Sequence, residues 1–184
     1  MKKFNALILS SLLVLSACDD SPEPQTPSAA TNAPAAAPAP AVAVYEATLA
    51  QGIDFRKDGY PAFIAQVSGM SALEPWGRWS DADAGGPVVR FKFKDKLPAS
   101  FVLVLQANAF GPNEGKAVKV KAGQVSQDWV IKNADPAGTY TLKFANVDSD
   151  TIEFTIPSPT SPKSQGVNDD PRVLGVGFIS LKVQ

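Results

Sequence analysis

Hydrophobic and polar residues alternate with period two along much of the second half of the chain. Val89, Phe91 and Phe93 alternate with Arg90, Lys92 and Lys94. The same rhythm recurs at Val118 and Val120 between lysines, at Tyr140, Leu142 and Phe144, and at Ile152, Phe154 and Ile156. Side chains along a strand point to opposite faces in turn, so each stretch predicts a strand with one buried face. The run 101–110 (FVLVLQANAF) is apolar enough for a central strand, and 62–67 and 173–183 are further candidates. Between them lie the breakers Gly111-Pro112-Asn113, Ala122-Gly123, Asp135-Pro136-Ala137-Gly138 and Asp148-Ser149-Asp150. Short strands at this spacing predict an all-β domain, an antiparallel β-sandwich or jelly roll. No segment of it carries a capped helical period; a single helical turn fits near Trp76 or Pro171.

A different pattern occupies the N-terminus. Lys2 and Lys3 precede an almost wholly apolar run from Ala6 to Ala17. A membrane-spanning helix needs about 20 apolar residues, so this run has the proportions of an export signal. Leu15-Ser16-Ala17-Cys18 reads as a lipobox, in which small residues admit the signal peptidase and the Cys18 thiol accepts a diacylglycerol. The expected organisation is a signal peptide at 1–17, then lipidated Cys18 and a Pro/Ala-rich tether to residue 44, then a domain at 45–184. The tether has too little bulky apolar surface to offset its ordering entropy. Its prolines favour extended conformers that could reach roughly 80 Å from a membrane. Asp19 and Asp20 after the cysteine resemble an inner-membrane retention signal of enterobacterial lipoproteins, so an inner-membrane, periplasm-facing location is favoured over an outer-membrane one.

Composition removes several chemistries. The 184-residue chain has no histidine and one cysteine, with a formal charge of −1. Zinc or copper sites of the His/Cys type and Ser-His-Asp or Cys-His nucleophiles are excluded. Cys18 has no partner within the chain for a disulfide. No basic run supports nucleic-acid binding. Carboxylates remain: Glu74, Asp81, Asp83, Asp169 and Asp170 could supply a catalytic pair or an oxygen-ligand calcium site. Each has a plainer reading as a turn residue or an arginine partner. No catalytic residue, metal or cofactor is expected.

Two clusters stand out. In Glu74-Pro75-Trp76-Gly77-Arg78-Trp79-Ser80-Asp81, two indoles flank a guanidinium, a set that can stack on sugar rings and hydrogen-bond their hydroxyls. Alternatively, a tryptophan closes the end of the sandwich while Arg78 pairs with an acid. The second cluster runs from Ser161 to Gly166 and on through Asp169-Asp170-Pro171-Arg172-Val173-Leu174-Gly175. It can equally be a long loop pinned by an Arg–Asp pair. The candidate ligand-binding residues are Glu74, Trp76, Arg78, Trp79, Asn113, Asp170 and Arg172.

These segments together carry a resemblance. The E-x-W-G-R-W-S core, Leu97-Pro98 with Phe101-Val102-Leu103, Ala107 to Asn113, Thr141 to Phe144, and Pro171 to Gly177 are similar, in the same order, to the C-terminal region of bacterial phosphoglycerol transferase I. That family modifies osmoregulated periplasmic glucans. The resemblance spans about 115 residues and omits the sulfatase-like catalytic domain with its metal and threonine nucleophile. It therefore implies a non-catalytic module, and the transferase activity does not carry over. The expected function is recognition of a periplasmic glycan or glycolipid head group, with membrane attachment through the anchor. The alternative is a protein-interaction or structural module docking on an envelope enzyme.

Overall fold

The computed structural model describes residues 43–132 and 135–184. The expected signal peptide, Cys18 and nearly all of the tether lie outside the described residues. The described residues form twelve strands: β1 (Val44–Tyr45), β2 (Ile53–Asp54), β3 (Tyr60–Pro61), β4 (Ile64–Ser68), β5 (Arg78–Asp81), β6 (Val88–Phe93), β7 (Ser100–Ala109), β8 (Ala117–Ala122), β9 (Val125–Val130), β10 (Gly138–Ala145), β11 (Thr151–Thr155) and β12 (Leu174–Val183). Strand pairing begins at Val44, the last residue assigned to the tether.

Two antiparallel five-stranded sheets form the sandwich. The first runs β10-β7-β12-β2, with β5 also pairing β12; the second runs β4-β6-β11-β8-β9. A short parallel pair, β1 with β3, stands apart. The alternations read from the sequence become the two inner faces. Strand β7 buries Phe101, Leu103, Leu105, Ala107 and Ala109 and turns the intervening residues outward. Its partner β10 aligns Tyr140 with Leu105 and Phe144 with Phe101, whose rings stack 5.0 Å apart. From the other sheet come Val89, Phe91 and Phe93, Val118 and Val120, and Ile152 and Phe154.

Strand β12 needs one irregularity to stay amphipathic. Its register against β7 shifts between Phe178 and Ser180. The extra residue changes parity, so Val176 and Phe178 before it and Leu181 and Val183 after it all face inward. Phe178 meets Phe154 at 5.3 Å, Phe55 at 5.5 Å and Trp129 at 6.2 Å. Each such side chain contributes about 1.5–3 kcal/mol through burial, and edge-to-face contacts add to that.

Two strands form where the sequence pattern predicts none, and the helical turns fall elsewhere than expected. Residues 125–130 form β9, although Gln127 interrupts the apolar series. Residues 78–81 form β5, although its buried side chains are polar. The helical turns fall at Ala82–Ala84 and Gly111–Asn113, not near Trp76 or Pro171. Asp81 caps the first by accepting the Asp83 backbone N–H at 3.1 Å. The second starts after Phe110 with proline in its first turn, where the missing N–H costs nothing.

Candidate functional site

Strand β5 separates the first cluster into two places. Successive strand residues face opposite ways. Trp79 lies over the outer face of the first sheet, while Arg78 turns to the other side, toward Tyr60 and Ser71.

On the outer side, Glu74 and Gly77 exchange backbone hydrogen bonds of 2.9 and 3.2 Å, closing a tight turn around Pro75 and Trp76. The turn folds Trp76 back against Trp79, with ring centroids 4.8 Å apart and planes at 67°. Phe110 stands edge-to-face to Trp79 at 5.9 Å and 73°. Both tryptophans are half-buried. They form an aromatic corner rather than the flat two-ring platform that the sequence suggests.

The corner lies directly on the sheet because Gly177 of β12 has no side chain. A Cβ there would sit 2.1 Å from Asn108 Oδ1, 2.7 Å from Trp76 Cη2 and 2.9 Å from Trp79 Cζ3. With Asn108, Gln165, Val167 and Asp135, the corner lines an open groove of about 620 Å³. Asn108 Oδ1 is buried beneath it with no hydrogen-bond partner among the described residues. Val167 is 64% exposed at the rim.

Glu74, Asp170 and Arg172 come together as the clamp that holds one wall. Thr160 and Leu174 exchange backbone bonds of 2.9 Å and close the intervening loop at its base. Within that loop, Arg172 donates Nε to both Asp170 oxygens at 3.1 Å and Nη2 to Asp170 Oδ2 at 2.6 Å. Its Nη1 reaches Glu74 Oε1 at 2.8 Å, and Glu74 Oε2 accepts the Trp76 indole N–H at 2.9 Å. The guanidinium holds the Asp170 carboxyl below the usual carboxylate range, and the two acids push the Arg172 pKa up. These three residues position Trp76; their strongest acceptors and donors are engaged with one another.

Two predicted site residues are placed elsewhere. Asn113 is wholly buried, donating Nδ2 to the Phe110 and Ser158 carbonyls at 2.9 and 2.8 Å and accepting the Ser158 N–H at 3.0 Å. Its amide is consumed in joining two loops, so it is a structural clamp and not a ligand contact. Arg78 does not share the tryptophan surface. Of the remaining carboxylates, Asp81 is a cap and Asp83 and Asp169 are exposed. Among the described residues no three His, Cys, Asp or Glu side chains converge as a metal site. The groove residues Asn108, Phe110, Gln165, Val167 and Asp135 were not among the candidates. For Asn108 and Phe110 the signal was parity: Asn108 shares the outward face of β7 with Gln106, and Phe110, just past the strand's end, continues it.

A second groove, of about 400 Å³, crosses the outer face of the other sheet between Arg90, Lys92 and Lys121. Two of its three cations are already matched, Arg90 by Glu153 at 2.7 Å and Lys92 by Asp150 at 3.8 Å. The aromatic corner is the stronger candidate.

Residues 43–184, the whole described domain, match a family described as a domain of unknown function, DUF7024. The chain belongs to the DUF7024 family. Its curated relatives include "Phosphoglycerol transferase I" of Escherichia coli O139:H28, of Escherichia coli O157:H7 and of Shigella boydii serotype 18, each 37% identical over 131 residues. The alignment covers 70% of this chain and 17% of each relative. The DUF7024 domain is thus a C-terminal module of the phosphoglycerol transferase I family, and the chain spans about a sixth of those proteins. No solved structure matches it. No helix among the described residues is long and apolar enough to cross a membrane.

Proposed function

We propose that this DUF7024 chain is a non-catalytic, periplasm-facing lipoprotein that binds a glycan or glycolipid head group in the Trp76–Trp79–Phe110 groove. The observation that carries this reading is the aromatic corner laid on Gly177, with Asn108, Gln165 and Asp135 beside it. Sugar rings have apolar C–H faces and polar edges. A ring seated on one indole face meets the second aromatic wall at its edge, within reach of amide and carboxylate groups. A corner of this shape favours one ring, or a chain end, over a flat run of several sugars.

The chain's relation to only a small part of the phosphoglycerol transferases supports an accessory role in envelope glucan or phosphoglycerol metabolism, with no reaction of its own. Cys18 is the site for the lipid, and the Pro/Ala-rich segment is the spacer between membrane and domain.

The test is a pull-down of periplasmic glucans with the full chain, repeated with Trp79→Ala, in cells fed a tagged fatty acid. Wild type should retain glucan and carry the label. Trp79→Ala should lose retention by about 1 kcal/mol or more of affinity while keeping the label. Cys18→Ser should lose the label alone. Equal glucan retention by wild type and Trp79→Ala would remove the groove from the function.

A further inference from the structure

The other face of β5 holds a charge with no counter-ion. Arg78 is 8% exposed, yet no carboxylate among the described residues comes within ion-pair distance of it. Its Nε has no hydrogen-bond partner among the described residues. Its two Nη atoms reach only backbone carbonyls, Ser71 O at 3.5 Å and Lys57 O at 3.3 Å. The guanidinium carbon sits 5.4 Å from the centre of the Tyr60 ring. A buried cation is costly unless it is paired and hydrogen-bonded, and neutral carbonyls at these lengths with one ring face compensate it only in part. Arginine cannot escape that cost by losing its proton.

The cation also lines an opening. Arg78, Tyr60, Ser68 and Ser71 border a cleft of about 540 Å³, with Asp58 and Met70 also lining it. The Ser71 hydroxyl is engaged, accepting the Trp79 N–H at 3.1 Å and donating to the Ala72 carbonyl at 3.2 Å. The hydroxyls of Tyr60 and Ser68 have no such bonds within the described residues. Lys57, whose carbonyl Arg78 contacts, holds its own ammonium over the Tyr45 ring at 4.8 Å, and Asp58 is the one acid among the described residues that lines the cleft, beyond ion-pair distance of Arg78.

We infer that this cleft is an oxyanion site for a phosphate-bearing group, with Arg78 as its charged anchor. A planar guanidinium pairs two oxygens of a carboxylate or a phosphate equally well. The two hydroxyls favour phosphate: a carboxylate bridged by the guanidinium keeps only in-plane lone pairs on the same two oxygens, whereas a phosphate has further oxygens out of that plane for Tyr60 and Ser68. The site is independent of the aromatic corner, since it occupies the opposite side of β5 and shares no lining residue with it. A phosphate here would come from a soluble phosphate ester or from a phospholipid head group.

The experiment uses the full chain, labelled with nitrogen-15, and follows the Arg78 Nε–H signal. Inorganic phosphate should move that signal saturably, and acetate should do so more weakly. Tyr60→Phe and Ser68→Ala, which leave Arg78 in place, should weaken phosphate binding more than acetate binding. Arg78→Lys, which keeps the charge and loses the fork, should weaken phosphate by about tenfold. Sedimentation with vesicles separates the sources. Binding to phosphatidylglycerol in phosphatidylcholine, but not to phosphatidylcholine alone, assigns the head group; phosphate binding without vesicle binding assigns a soluble ester. An Nε–H signal that phosphate leaves unmoved, or phosphate affinities unchanged in all three variants, would overturn the proposal.

Discussion

The domain contains two groups of aromatic side chains with opposite fates. Trp129, Phe91, Phe154 and Phe178 meet between the sheets, and Trp129 is only 2% exposed. Trp76, Trp79 and Phe110 meet outside the first sheet and stay half-open. Centroid spacings and ring angles are alike in the two groups, so aromatic contact alone does not distinguish a core from a site. What differs is the opposite wall. Trp129 has a second sheet beyond it, whereas Trp79 has a groove. A close-packed interior fixes its rings from every side. The outer corner is fixed from below by Gly177 and from the side by the Arg172 clamp, leaving one surface open to the groove.

The largest consequence falls on the core. Trp129→Ala removes the largest fully buried side chain and leaves a cavity between two sheets, so it should cost about 3–5 kcal/mol of unfolding free energy. Urea denaturation checks this. Trp79→Ala opens onto existing space and should cost well under half as much. Equal losses at both positions would erase the distinction and make the outer corner part of the core.

The Gly177 position should give an intermediate effect. A methyl group there collides with Asn108 Oδ1 and both indoles. Those are side-chain rather than backbone atoms on the outer face of the sheet, so they can move, at a cost of about 1–2 kcal/mol. The strand itself should persist, because Gly177 has no positive φ to defend. We expect Gly177→Ala to retain its β-sheet circular dichroism and cooperative melting, with the Trp76 and Trp79 indole resonances displaced and glucan retention reduced. Unchanged indole resonances would mean that the corner does not rest on this glycine.

The two groups also differ in how far the sequence reveals them. Where a strand buries alternate apolar residues, as in β6, β8, β10 and β11, period two is enough to place it. It fails at β9 because Gln127 occupies a half-buried position between Val125 and Trp129. It fails at β5 because Arg78 and Ser80 are buried while Trp79 is half-open, reversing the usual rule. The Ser80 hydroxyl accepts the Val176 N–H at 2.8 Å, a tertiary contact that no local pattern announces. Sequence reading found the tryptophans, Glu74 and the Asp170–Arg172 pair because their residue types are unusual together. It treated Arg78 as their neighbour because adjacency in sequence hides the turn of a strand. The amides of Asn108 and Gln165 were invisible for another reason. They lie on distant segments that only the fold brings together.

The smallest expected effect concerns the clamp and depends on pH. Arg172 depresses the Asp170 pKa in the folded state, chiefly through side-chain hydrogen bonds. A depressed carboxyl contributes stability that is present above its unfolded pKa, about 3.9, and is lost as pH falls through the lower folded value. Neutral conditions therefore keep the clamp intact, and acid releases it. Both partners are partly exposed, so the whole contribution should be about 1 kcal/mol or less. Asp54 is depressed in the same direction by Arg56, so an acid titration of the wild type alone would mix two sites. Asp170→Asn separates them by removing one. The local readout is the Trp76 indole N–H, which reaches Arg172 through Glu74. In wild type its resonance should move once pH falls below the usual carboxylate range, in step with protonation of Asp170. In Asp170→Asn it should start displaced at neutral pH, with less further movement attributable to the clamp, while the Trp129 resonance stays fixed in both. An indole signal at Trp76 indifferent to both acid and the substitution would show that the corner holds its shape without the clamp, leaving Gly177 and the sheet beneath as its only support.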